Sequence, residues 1–104
     1  MTILTANSGA CGFYCTVIVE KVLDRKMSVR LESQCGMLQK LGEDIATVDT
    51  MAAAFTGFLN NPVYMAAARH LKHAACPVPG AIIKAIEVEA GFNLPRDASI
   101  RFEK

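Results

Sequence analysis

The sequence has no tryptophan, few aromatic residues (7%) and no block of like charge, since eleven basic residues nearly balance ten acidic ones. Nucleic-acid-binding domains usually carry a basic stripe with aromatic side chains that stack on bases. Arg25, Lys26 and Arg30 form only a short basic group, of the kind found at a solvated hairpin end. We therefore expect no nucleic-acid partner.

The sequence also has no uninterrupted apolar run of roughly 18 residues, so we expect no membrane-spanning helix. No basic region precedes an apolar stretch at the start of the chain, so no signal peptide is predicted and a cytoplasmic location is expected. Under those conditions, the four cysteines are expected to be reduced or metal-bound rather than paired in disulfides.

Apolar residues make up 52% of the 104 residues and charged residues 20%, a composition too hydrophobic for a disordered chain. A chain of this length forms one domain with its own core. We therefore treat residues 1–104 as a single domain, with no internal repeat or low-complexity segment.

Alternation of apolar and polar residues predicts a small antiparallel sheet. Three strands are expected near the N-terminus, at residues 2–6, at residues 11–22 and in the stretch that follows the turn at 23–26. In the second and third strands, one parity is apolar and is expected to face the core: Phe13, Cys15, Val17, Val19, Met27, Val29 and Leu31. The alternation of Ala98, Ile100 and Phe102 predicts a further strand near the C-terminus.

Three or four helices are predicted to cover one face of this sheet, which gives an α+β fold. Helical spacing and capping residues place them at residues 36–45, 50–58, 63–71 and 79–90, with Asp49 and Asn61 as N-caps of the second and third. We interpret the apolar stripe of the second helix, which contains Met51, Ala54, Phe55 and Phe58, as part of the core.

Three cysteines lie where predicted elements begin: Cys11 before the long strand, and Cys35 and Cys76 each before a helix. Helix N-termini favour the thiolate, because free backbone N–H groups and the helix dipole stabilise negative charge. Cys15 shares the parity of the core residues, and a regular strand would separate it from Cys11 by roughly 13 Å. We therefore predict that Cys15 is a core residue, and that His70, at a helix end, is a surface residue.

Cys11, Cys35 and Cys76, with His73 as a fourth ligand, form the candidate metal site. Three cysteines and one histidine suit tetrahedral zinc, and a cysteine-rich set also suits an iron–sulfur cluster. The first hypothesis is therefore a small metal-binding protein with a structural or electron-transfer role.

Two alternatives remain open from the residues alone. The first is a metal-free interaction module, a homodimer whose thiols are simply buried. The second is a thiol enzyme or redox sensor in which Cys76 is the nucleophile and His73 the base. The sequence shows no orienting acidic or amide residue for that pair, no phosphate-binding loop and no dinucleotide fingerprint, so enzymatic activity is left undecided.

Several motifs resemble a family of small uncharacterised proteins of archaea and anaerobic bacteria, a domain of unknown function. They are Asn7-Ser-Gly-x-Cys-Gly-Phe13, Glu32-Ser-x-Cys35, Asn61-Pro-Val-Tyr64, His73-Ala-Ala-Cys-Pro-Val-Pro79 and the stretch 83–91. Together they span nearly the whole chain.

A more distant similarity is to the cysteine-bearing C-terminal module of cobalamin-dependent ribonucleotide reductases. It is carried by Cys11-Gly12, Cys35 and Cys76-Pro77. The similarity implies metal binding, although the Thr-Ser-Cys-Pro-Asp signature of that module is not complete here. Two alanines precede Cys76 and a valine follows Pro77, so the acidic residue is missing.

Overall fold

The computed structural model describes residues 1–104 and consists of one four-stranded antiparallel sheet and four α-helices. The strands, in sheet order, are β1 (Thr2–Asn7), β2 (Tyr14–Leu23), β3 (Lys26–Ser33) and β4 (Thr47–Asp49). The helices are α1 (Gly36–Asp44), α2 (Thr50–Phe55), α3 (Pro62–His70) and α4 (Val78–Glu89), and two 3₁₀ turns lie at Gly9–Cys11 and Phe58–Asn60. The predicted α+β class is confirmed. None of these helices is both long enough and apolar enough to cross a bilayer.

The central β2–β3 hairpin follows the predicted alternation. Val17 lies opposite Leu31 and Val19 opposite Val29, so the apolar parity of both strands lies on one face of the sheet. Cys15, Val17 and Val19 are fully buried on that face. The core therefore forms on the side that the sequence pattern predicted, except that β2 begins at Tyr14 rather than at residue 11 and leaves Phe13 outside the strand and 37% exposed.

The helices cover this apolar face and complete the core. Leu38 and Leu41 of α1 and Ile82 and Ile86 of α4 are at most 2% exposed. The predicted caps are confirmed: the side chains of Asp49 and Asn61 each accept a hydrogen bond from a backbone N–H in the first turn of their helix, at 2.9 Å. Burial of the apolar stripes, rather than intrinsic propensity, is what stabilises helices this short.

The predicted C-terminal strand is wrong. Residues 95–104 form no strand, and Ile100 and Phe102 are 87% and 98% exposed. The fourth strand is β4, which pairs with β3 and buries Val48. Three residues are too few to show a clear alternation, whereas the alternating C-terminal segment forms no backbone hydrogen bonds with any strand.

The interpretation of the α2 stripe as core is also wrong. Phe55 is 65% and Phe58 is 77% exposed, and α2 buries Thr50 and Ala53 instead. The helix ends at Phe55, so Phe58 lies outside it and does not continue its helical spacing. The two rings lie on the surface, where they contact Phe92 and Tyr64 with centroid distances of 5.0 and 5.2 Å.

Glu89, at the end of α4, connects that helix to β1 and β2 through hydrogen bonds. Its carboxylate accepts hydrogen bonds from the hydroxyl of Thr2 at 2.7 Å and the backbone N–H of Lys21 at 3.3 Å, and it lies 3.3 Å from the amino group of Met1. The hydrogen bond from Thr2, more than the other contacts, lowers the pKa of Glu89.

Replacement of Glu89 by glutamine should lower the melting temperature at neutral pH and flatten its decline in acid. A carboxyl whose pKa is lower in the folded protein stabilises the fold above the unfolded-state pKa of about 4.3 and loses that contribution as the pH falls. The measurement is thermal unfolding of both proteins between about pH 2 and 7, and the two curves should converge at the acid end.

Glu43→Gln is the matched control, because Glu43 is exposed on α1. This variant should keep the pH dependence of the original protein. If Glu89→Gln also kept it, the contacts of Glu89 would contribute nothing measurable.

Candidate functional site

Three cysteines lie at one end of the molecule, where β2 begins, β3 ends and two helices start. Cys15 is near the beginning of β2, where its cross-strand partners are Ala6 in β1 and Ser33 in β3. Its side chain points into the core and is fully buried. The other two thiols, Cys35 and Cys76, lie in segments on either side of Cys15, one next to β3 and the other next to β1.

Cys35 comes from the β3 side. It is the N-cap residue of α1, and its backbone N–H donates to the hydroxyl of Ser33 at 3.1 Å. Because Ser33 is directly opposite Cys15, this short turn keeps Cys35 next to the buried thiol. Cys35 is half-buried and packs against the same core.

Cys76 comes from the other side, in the turn that leads into α4. Its backbone N–H donates to the carbonyl oxygen of His73 at 3.2 Å, and Pro77 is the N-cap residue of the helix. Cys76 also packs against the core, and it lines the same surface groove as Ala6, the other cross-strand partner of Cys15.

The electrostatics of Cys15 reflect this arrangement. Burial, and to a smaller extent the negative charges that Cys76 and Cys35 would carry as thiolates, together raise the pKa of its thiol to about 11. Cys15 is therefore protonated at neutral pH. All four cysteines are free, and no three His, Cys, Asp or Glu side chains are arranged to hold a metal ion.

The remaining predicted ligands, Cys11 and His73, lie on exposed loops. Cys11 ends the 3₁₀ turn between β1 and β2, which Gly9 and Gly12 allow by adopting positive φ angles of 79° and 77°. Because Cys11 lies in this turn rather than in β2, the separation expected for a regular strand does not apply to Cys11 and Cys15.

His70 is a surface residue, as predicted. Its Nε2 lies 2.9 Å from a carboxylate oxygen of Asp44, which also accepts a hydrogen bond from Arg69 at 2.8 Å. Both hydrogen bonds lower the pKa of Asp44, and the one from Arg69 has the larger effect. The cluster joins the ends of α1 and α3 and is separate from the thiols.

The structure thus packs Cys35 and Cys76 against the part of the core that contains Cys15, a residue that the sequence analysis assigned to the core alone. Both statements about Cys15 hold, because it is buried and it is also the neighbour of two half-buried thiols. Its parity was the available signal: a cysteine on the core face, close to the end of the sheet where two cysteine-led helices start.

A family model for DUF6951, described as a family of unknown function, matches residues 2–102. The chain belongs to this family. The part that matches DUF6951 contains all four cysteines and both histidines. No curated protein and no solved structure matches the chain significantly.

Proposed function

We propose that this protein binds a thiophilic metal, as a zinc ion or an iron–sulfur cluster, at the end of the sheet near which Cys15, Cys35 and Cys76 lie. The observation that carries the proposal is that Cys35 and Cys76, which precede α1 and α4, both pack against the core that contains Cys15 of β2. A metal at this point would hold two helix N-termini to the sheet, which is a structural role, and a cluster there would serve electron transfer.

The chemistry of the three thiols supports this proposal. Soft thiolate ligands select zinc and iron–sulfur clusters over hard cations. Cys35 is the N-cap residue of α1, Cys76 directly precedes the N-cap of α4, and both are partly exposed, so a metal can reach them. The three sulfurs do not adopt a coordination geometry in this structure, so binding requires their side chains to turn toward a common point.

Zinc is usually bound by four ligands, so a fourth donor is needed. Cys11 is the first candidate, because its turn leads directly into β2, and His73 is the second, because its carbonyl already contacts the backbone of Cys76. The distant similarity to the ribonucleotide reductase module, carried by Cys11, Cys35 and Cys76, agrees with a metal site here.

Anaerobically purified protein should contain about one zinc ion or one cluster per chain, with visible absorption only for the cluster. Cys35→Ser and Cys76→Ser should each weaken metal binding by more than about 100-fold, since even residues behind the ligands change metal affinity by about 10–100-fold. The measurement is metal analysis combined with cobalt titration, in which the charge-transfer absorption reports the number of bound thiolates.

Cys11→Ser and His73→Ala identify the fourth ligand, since only the variant of a true ligand should lose affinity. Cys15→Ala tests the buried thiol. If Cys15 is a ligand, its thiol must lose its proton on binding, so affinity should rise with pH more steeply in the original protein than in this variant.

A metal-free protein whose melting temperature is unchanged by zinc, ferrous iron or chelators would contradict the proposal. Saturation at about 100 times the dissociation constant should stabilise the fold by about 2.7 kcal/mol. Rapid alkylation of Cys76 alone in such a metal-free protein would instead favour the thiol enzyme or redox sensor. Slow labelling of all thiols except the exposed Cys11 would favour a metal-free interaction module.

A further inference from the structure

A groove runs along the unpaired edge of the sheet. β1 is the first strand in the sheet order and pairs only with β2, so its other edge is open. The groove, which we call the edge groove, has a volume of about 920 Å³. It is bounded by β1, by one face of α4 and by the C-terminal segment at residues 93–100.

The C-terminal segment itself has no strand partner. Its last backbone hydrogen bond is donated by Arg96 to Leu94, and the eight residues that follow make none. The large apolar side chains of Ile100 and Phe102 are almost completely exposed. These two residues belong to the alternating pattern that predicted a strand, so the segment has the sequence of a strand but lacks a neighbour.

The edge groove offers an unpaired strand edge, which is the pairing partner that the C-terminal segment lacks. The outer edge of β1 presents unpaired backbone N–H and C=O groups over six residues, a length of about 20 Å. The face of α4 that borders the groove carries Gly80 and Ala81, whose small size leaves room for larger side chains, and farther along the helix it carries Lys84 and Val88. A strand added here would turn one parity toward α4 and the other toward solvent.

The chain's own segment does not fill the groove in a single copy, because residues 93–100 border it without pairing with β1. The same wall in a second copy is an equivalent strand-forming segment. Two copies can therefore exchange these segments symmetrically, each filling the groove of the other, as closed two-fold dimers do.

We propose that two copies of this chain form a homodimer in which residues 97–103 of each copy pair as a strand with β1 of the other. Ile100 and Phe102 then lie against α4, and the edge of β1 is covered. Burial of Phe102 in both copies removes about 400 Å² of surface, out of roughly 1,200–2,000 Å² that a stable interface needs. Ile100, the strand backbones and the covered groove walls add to that area.

Light scattering or sedimentation of the full chain should give the mass of two copies. The double variant Ile100→Asp, Phe102→Asp should raise the dissociation constant of the dimer by more than about 30-fold, because it places charges where the interface is apolar. Its monomer should retain the secondary structure, since both side chains are exposed in the single copy. Ser99→Asp is the matched control, because Ser99 lies on the opposite parity, and it should remain dimeric.

A mixed dimer of isotope-labelled and unlabelled chains then locates the interface. Contacts between Phe102 of one copy and Ala81 or Val88 of the other, seen in isotope-filtered NMR spectra, would support the exchange. A monomeric full chain, a double variant that stays dimeric, or contacts of Phe102 with α4 within one copy would each overturn it. None of these results depends on bound metal, because the test can be run in the presence of chelator.

Discussion

Replacement of Asn61 by alanine should destabilise the protein by about 2–4 kcal/mol, which corresponds to a fall in melting temperature of roughly 10–25 °C. Asn61 is only 2% exposed and satisfies three backbone groups at once. Its amide nitrogen donates to the carbonyl oxygens of Ala53 and Thr56 at 2.8 and 2.9 Å, and its side-chain oxygen accepts from the N–H of Val63 at 2.9 Å.

The size of this effect follows from what alanine leaves behind. Loss of an N-cap alone costs about 1 kcal/mol, and each buried group that loses its partner adds about 1–3 kcal/mol. The carbonyl of Ala53 lies at the buried end of this network, so water does not readily replace the amide. Chemical denaturation of both proteins gives the difference in unfolding free energy directly.

Two further variants separate the roles of Asn61. Asn60→Ala changes the exposed neighbouring asparagine and should alter stability by less than about 0.5 kcal/mol. Asn61→Asp retains the acceptor for Val63 but turns an acceptor toward two carbonyl oxygens, so it should be at least as destabilising as alanine. A stable Asn61→Asp variant would show that the residue acts only as a cap.

Replacement of Ile82 by alanine should cost about 2–5 kcal/mol. Ile82 is fully buried on the face of α4 that packs against the sheet. The substitution removes three carbon atoms and leaves a cavity that the surrounding side chains fill only in part. Because small domains are stable by about 5–15 kcal/mol in total, this single change removes a large share of the stability.

Lys84→Ala is the control for Ile82→Ala, because it lies on the exposed face of the same helix and should change the unfolding free energy by less than about 0.5 kcal/mol. Thermal and urea unfolding of both variants provide the comparison. A loss below about 1 kcal/mol for Ile82→Ala would mean that the core closes around the vacated space, contrary to the tight packing expected here.

The parts of the fold that were predicted correctly are those marked by short-range sequence signals, such as strand alternation and helix caps. The alternation in β2 and β3 is repeated over many residues, and the helix caps Asp49 and Asn61 act within two or three residues of their own positions. Such features depend on neighbours in the chain, so the local sequence contains nearly all the information needed to place them.

The predictions that were wrong depend instead on how elements far apart in the sequence pack against each other. Val48 belongs to a strand only because β3 offers it an edge, and Phe102 lies outside one because its segment pairs with no strand. Phe55 is exposed because α2 turns Thr50 and Ala53 toward the core, a choice that depends on how α2 is placed against its neighbours. Alternation or helical spacing alone does not determine these outcomes.

In the candidate site, too, local sequence signals determined some features and tertiary packing determined others. The sequence by itself placed Cys35 and Cys76 at helix starts and Cys15 on the core face, because each position follows from local periodicity and capping. Only the tertiary structure decided that Cys35 and Cys76 pack against the core around Cys15, because this depends on how α1 and α4 pack onto the sheet. It also decided that Cys11 and His73 lie on exposed loops, since their turns are fixed by backbone contacts that no spacing rule describes.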